Sequence, residues 1–218
     1  MPSVKIPKKS TDTDMTPFVD IAFLILSFFI MATKFKPQEP VPITTPGSVL
    51  SQKLPESNAV MISIDSSNRV FFTVLSEKDK TVYDQLIQSL NISRGLNLSK
   101  EEMANFRKTY SIGVPFGGLK QLLGTPASEQ KNIKQPGIPV MDSANNELLW
   151  WISESKKAFS GQKLFFLIKG DAQSKYPTFE AVVSALKRNE EFKYNLVTAL
   201  EDVPKESALD KANKKAIK

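Results

Sequence analysis

The chain has no cysteine and no histidine among its 218 residues. The first absence excludes a disulfide framework, a thiolate nucleophile and a thiolate metal site; the second removes the usual general base and the commonest metal ligand. Classical triads and zinc centres are out of reach. Carboxylates are present, but no pair of them has an arguable acid–base geometry, so hydrolysis finds no residues to carry it. No catalytic residue, metal ligand or cofactor site is assigned, and the chain reads as a non-enzyme. A concentrated basic surface is also missing. The net charge is +6 and the pI ≈ 9.3, yet the lysines are spread along the whole chain without aromatic interleaving, so nothing points to nucleic acid.

What the chain does have is one long apolar run, Pro17 to Thr33 (PFVDIAFLILSFFIMAT), interrupted by a single carboxylate, Asp20. As a helix it is roughly 25 Å long, a little short of a hydrocarbon core of about 30 Å, and Met15, Thr16 and the stem of Lys34 make up the difference. Residues 15–34 therefore read as a single membrane helix. An ionised Asp in the middle of such a helix costs about 2.5 to 3.5 kcal/mol, so an intramembrane carboxylate is a candidate for taking up and releasing protons. At about 100° per residue, Thr16, Leu24, Ser27 and Met31 share one narrow sector with Asp20, and Phe18, Ala22, Ile25 and Phe29 point the other way. This gives a polar strip facing a sealed interface or a wet path. The competing reading places Asp20 at headgroup depth, with Thr16 or Asp14 merely capping the helix. A cleavable signal peptide is the other alternative for this segment, against which stand the Asp and the length of the run.

Residues 1–14, with two prolines and small polar side chains, read as a tail. Lys5, Lys8 and Lys9 before the run slightly outweigh Lys34 and Lys36 after it, which favours a cytoplasmic N-terminus. Residues 35–58 contain Pro37, Pro40, Pro42, Pro46 and Pro55, which rule out a long helix and give an extended linker with a reach of some 70 Å. From residue 59 to 202 the patterns are those of a folded domain. Ala59–Ile64 and Val70–Val74 form a hairpin across Asp65-Ser66-Ser67-Asn68. Leu148, Trp151, Ile152 and Phe159 set a helix between Ala144 and Phe159, with Asp142 and Ser143 as caps. Leu164–Ile168 is a strand covered on both faces. Phe179, Val182, Val183 and Leu186 give a helix behind Pro177, and Tyr194–Leu200 a last strand.

The fold class is thus α+β, in the order β-β-insertion-α-β-α-β with the helices on one sheet face. The insertion, 75–143, carries helical stretches at Tyr83–Leu90 and Lys100–Tyr110, the second with Ser99-x-x-Glu102 as a capping box. A Pro- and Gly-rich run from Gly113 to Gly137 follows, which either decorates the surface as a binding excursion or only routes the chain around the domain. The polar, Lys-rich stretch 203–218 reads as a disordered tail.

Met15-Thr16-Pro17-Phe18-Val19-Asp20, followed by IAFLILSFFIMAT, resembles the transmembrane signature of the ExbD/TolR family. FLIKGDAQSKYPTFEAVVSALKRNEEFKYNLVTALE resembles the C-terminal half of that family's periplasmic domain. VPFGGLKQLL and PGIPVMDSANNEL resemble its longer bacteroidete-type variant. Together the resemblance covers residues 10–75 and 140–202. It implies that Asp20 carries protons, that Thr16, Leu24, Ser27 and Met31 face the pore, and that Pro17 sets the turn into the helix. It also implies that Leu54-Pro55 pairs as a strand at rest, and that Asp171 ends a strand; read from the residues alone, Asp171 is a plain turn residue.

The partners it implies are a pentameric ExbB/TolQ-type membrane channel and a TonB-type rod protein in the bacterial inner membrane, with the C-terminal domain periplasmic. A homodimer follows from the advantage of two neighbouring Asp20 carboxylates alternating in protonation. A TolR-like subunit touching peptidoglycan, and a periplasmic binding domain held by a mere anchor, are the alternatives.

Overall fold

A computed structural model describes residues 15–32, 41–48, 54–55, 57–76, 79–142 and 144–200. The chain divides into two compact units, Met1–Pro37 and Gln38–Lys218. The described part of the first is one helix, α1 (Thr16–Ala32). Its start is closed by the Met15 carbonyl, which accepts from the N–H groups of Phe18 and Val19, each at 3.1 Å. Pro17, lacking an N–H, sits in the first turn, where none is needed. Within the expected 15–34 segment, residues 16–32 are helical; Thr33 and Lys34 lie outside the described residues. Among the described residues, no helix is long and apolar enough to cross a membrane.

The second unit is built on a mixed four-stranded sheet. Strands β2 (Ala59–Ile64) and β3 (Val70–Leu75) pair antiparallel, with Ile62 opposite Phe72. The hairpin closes because Asp65 is clamped: its carboxylate accepts from the Arg69 N–H and Nε, both at 2.7 Å, while Asn68 takes the left-handed φ of 64°. Asn tolerates that region better than most side chains. Strand β4 (Phe165–Gly170) lies parallel to β2, and the two-residue β5 (Asn195–Leu196) parallel to β4. Gly170 follows Lys169 into a buried Asp171, so the strand ends two residues beyond the expected Ile168.

Pleating sends Val60, Ile62, Ile64, Val70, Phe72, Phe166 and Ile168 to one face. There they share a single core with α2 (Thr81–Arg94), α5 (Leu148–Ala158) and α6 (Tyr176–Arg188). α6 carries its expected stripe, with Val182, Val183 and Leu186 buried and Phe179 packed at the margin. α5 begins four residues later than Ala144. Asp142 accepts instead from the Ala144 N–H at 2.9 Å in a local turn, and Asn146 Oδ1 takes the Leu148 N–H. Ser143, the other expected cap, lies outside the described residues.

The insertion departs most from expectation. It is neither surface decoration nor routing. Its α3 (Lys100–Phe106) has the full capping box, Ser99 Oγ accepting from Glu102 N at 3.2 Å and Glu102 Oε2 from Ser99 N at 2.7 Å. Within the Pro- and Gly-rich run lies a further helix, α4 (Phe116–Gly124), which buries Phe116, Leu119, Leu122 and Leu123. Phe106 and Phe116 stack on Trp151 at ring separations of 6.1 and 5.9 Å, with Phe72 at 4.9 Å on the same indole. Such pairs contribute about 0.5 to 1.5 kcal/mol each beyond their buried area. The insertion also closes the sheet edge: Phe72 and Ile112 exchange both N–H···O bonds, at 2.7 and 2.8 Å, and the Ile138 N–H donates to the Val70 carbonyl. Gly113 is required where the chain meets that edge, since a Cβ there would lie 2.2 Å from the Phe71 ring.

The expected last strand, Tyr194–Leu200, is split. Its first half extends the main sheet as β5. Its second half, β6 (Ala199–Leu200), pairs parallel with β1 (Gly47–Ser48) from the linker region.

Candidate functional site

Two places collect the residues that the sequence singles out. The first is α1. Because residues 16–32 are helical, Thr16, Asp20, Leu24, Ser27 and Met31 fall at intervals of three and four and form one continuous stripe. Ser27 is half-buried and the other four are exposed. The large apolar side chains of this helix, from Phe18 to Met31, are between 51% and 85% exposed. An apolar surface of that extent on one helix marks a face made for other apolar matter, lipid or protein. Thr16 is the first helical residue, and Asp14, the alternative cap, lies outside the described residues.

The second place is where residues 41–48 meet the domain. Their prolines make this stretch extended, and Val41, Ile43 and Thr45 alternate half-buried with exposed Pro42, Thr44 and Pro46. Val41 and Ile43 line one small cavity with Met61, Ser63, Phe71 and Thr73, which belong to the sheet face opposite the helices. Both faces of β2 are therefore covered, and all six of its residues are buried. Leu54 packs at the margin of the Ala59, Met61 and Leu167 cluster on that same face. Neither Leu54 nor Pro55 is in a strand; the pairing in this region belongs to Gly47 and Ser48.

Asp171 fastens this stretch. It is 8% exposed, and its Oδ2 accepts from the Thr44 N–H and its Oδ1 from the Gln173 N–H, both at 2.9 Å. The Thr44 carbonyl in turn accepts from the Ala172 N–H at 2.8 Å, and the Pro46 carbonyl from the Ala199 N–H at 3.0 Å. With both carboxylate oxygens held by backbone donors, Asp171 is equipped to staple two chain segments together. It is more than a turn residue, and its partner 127 positions away left no local signal.

A family model described as biopolymer transport protein ExbD/TolR matches residues 7–201. No curated protein and no solved structure matches the chain.

Proposed function

The chain belongs to the ExbD/TolR family of biopolymer transport proteins, and from that premise we propose that it is an ExbD-like stator subunit driven by the proton-motive force. The family is a non-enzymatic, inner-membrane-anchored transport component that works with ExbB/TolQ-type and TonB/TolA-type partners. In this reading residues 15–34 form the anchor, the N-terminus is cytoplasmic and the domain beyond residue 58 is periplasmic. The helix stands inside a pentameric ExbB-type channel. Asp20 loads and unloads protons there, with Thr16, Leu24, Ser27 and Met31 towards the pore, and two copies of the chain alternate in protonation. The domain passes the resulting motion to a TonB-type rod, which opens outer-membrane uptake.

The observation that carries this reading is the single carboxylate on a helix whose other large side chains are exposed and apolar. The docked linker segment supplies the mechanical part. Undocking residues 41–48 lengthens the tether by eight residues, about 25 Å when extended. A hydrogen bond to a buried charged group contributes about 1.5 to 3 kcal/mol, and one charge crossing 100 mV releases about 2.3 kcal/mol. One such charge movement is comparable to the single Thr44–Asp171 bond, and the Ala172 and Ala199 bonds and the β1–β6 pairing add to what must be opened. The test is uptake driven by the proton gradient in cells carrying Asp20→Asn, with the channel partner co-expressed and membrane levels matched to wild type. Uptake lost with assembly intact supports the reading. Unchanged uptake reduces α1 to an anchor and overturns it. Co-purification with a TolA-type rod or with peptidoglycan, in place of a TonB-type rod, would move the chain to the TolR-like side.

A further inference from the structure

Residues 41–45 lie over the sheet face opposite the helices, and the floor beneath them is partly polar. Alternation sends Met61 and Ser63 of β2, and Phe71 and Thr73 of β3, to that face, with Ser63 opposite Phe71 and Met61 opposite Thr73. The insertion adds a third hydroxyl. Ile112 pairs with Phe72 and shares the helix-side core with it, so the neighbouring Ser111 falls on the other side. Val41 and Ile43 close over these residues, and the space left between them and Tyr110 amounts to about 10 Å³. That is room for about one water molecule.

Ser63, Thr73 and Ser111 are only 6%, 3% and 6% exposed. None of their hydroxyls has a hydrogen-bond partner among the described residues. Each hydroxyl offers one donor and two acceptor lone pairs, whereas a buried water makes about two to four hydrogen bonds, so one water cannot serve all three in full. The roof gives them nothing, because Val41 and Ile43 carry no polar side-chain atom. With the segment lifted, solvent reaches every one of them. A seat made for permanent docking would be apolar, as the adjoining part of the same face is, where Ala59, Met61 and Leu167 cluster with Val197 and Leu54 at the margin. Buried hydroxyls that lack full hydrogen bonding oppose burial. They therefore work against the backbone bonds that fasten the segment at Thr44 and Pro46.

We propose that the hydroxyls of Ser63, Thr73 and Ser111 form a release device: they weaken the seating of residues 41–45, so that the segment lifts and reseats readily. The inference stands on the domain alone; its consequence for uptake rests on the proton-carrier reading, in which lifting lengthens the tether. Through Ser111 the insertion takes part in the device, in addition to its place in the core.

Two substitutions test it from two elements. Thr73→Val keeps the shape of the side chain and exchanges the hydroxyl for a methyl group, and Ser111→Ala removes the hydroxyl that the insertion supplies. Full-length protein in detergent is followed by amide hydrogen exchange with mass spectrometry. Residues 41–48 should exchange about fivefold more slowly in each variant, and more slowly still when the two are combined. Exchange at residues 182–186 of α6 reports whether a variant has kept its fold, so that either one decides if the other is damaged. In a variant with at least wild-type protection there, unchanged or faster exchange at 41–48 overturns the proposal; faster exchange would mean that the hydroxyls hold the segment down through the water they share. Initial uptake rate separates the device from the functional reading. Slower exchange with slower uptake agrees with both, and slower exchange with uptake unchanged upholds the device and counts against lifting as a step of the transport cycle.

Discussion

The N–H of Thr44 donates to Oδ2 of Asp171 at 2.9 Å, and the N–H of Ala172, next to that aspartate, returns a bond to the Thr44 carbonyl. This reciprocal pair joins a proline-rich stretch to the end of a core strand. If it holds the stretch in place, Asp171→Ala should free residues 41–48 while leaving the helical core folded. Amide hydrogen exchange followed by mass spectrometry reads this directly. Exchange at residues 41–48 and 199–200 should accelerate at least about tenfold, and global stability should fall by about 1 to 3 kcal/mol for the loss of two part-buried hydrogen bonds to the carboxylate. Asp171→Asn keeps one side-chain carbonyl acceptor and should fall between. Exchange unchanged in the Ala variant would show that Val41, Ile43 and the β1–β6 pairing hold the stretch without the staple.

That bond also marks where sequence reading stops. The hairpin, α1, α3 with its capping box, β4 and α6 were legible because each carries its signal within a few residues: alternation, an apolar stripe, a cap, a proline in the first turn. Thr44 and Asp171 carry none, since each meets its need through the other across the fold. For the same reason Tyr194–Leu200 read as one strand: its division between two sheets depends on Gly47–Ser48, which look like linker. α4 was hidden differently. Its stripe of Phe116, Leu119, Leu122 and Leu123 is regular, but Pro115, Gly117 and Gly118 argue locally against a helix. Burial outweighs that propensity. On α1 the stripe was readable in full, since phase along one helix is all it needs.

The insertion's place in the core predicts what its mutation does. Leu119→Ala, at a fully buried position of α4, should cost about 2 to 5 kcal/mol, measured by urea denaturation of the full chain with tryptophan fluorescence. Gly113→Ala should also destabilise, by forcing the Phe71 ring from its place. A decorative excursion would tolerate both changes with stability shifted by less than about 0.5 kcal/mol.

Glu154 offers a test by pH. It is fully buried on α5, where its carboxylate accepts from Ser89 Oγ of α2 and from Lys157 Nζ at 2.8 Å. Burial alone pushes its pKa up, but the hydrogen bonds from Lys157, Ser89 and Ser93 and the Lys157 charge together outweigh burial and hold it below the ordinary carboxylate range. A group depressed in the fold contributes stability that is present above its unfolded pKa and is lost as pH falls through its folded one. Glu154→Gln should therefore be less stable than wild type at about pH 7, and the gap should narrow as the pH drops below about 4. Urea midpoints at neutral and acid pH, compared for the two proteins, decide it. A gap independent of pH would mean that the loss is one of packing alone.

The stripe on α1 predicts an order of effects that an anchor would not produce. Under the proton-carrier reading, Asp20→Glu keeps a titratable group but moves it by one methylene, and should leave partial uptake. Ser27→Ala removes a hydroxyl two turns along the same stripe and should lower uptake by about two- to tenfold through a weakened proton path, without changing membrane level. Phe29→Leu, on the opposite side of the helix, exchanges one apolar group for another against lipid or partner and should change uptake by less than about twofold. Asp20→Asn stands below all three. The measurement is initial uptake rate at matched protein level, with and without an uncoupler that collapses the proton gradient. If the ranking follows side-chain size instead of position on the stripe, so that Phe29→Leu is worse than Ser27→Ala, the helix acts through packing, and the proton path must be sought outside this face.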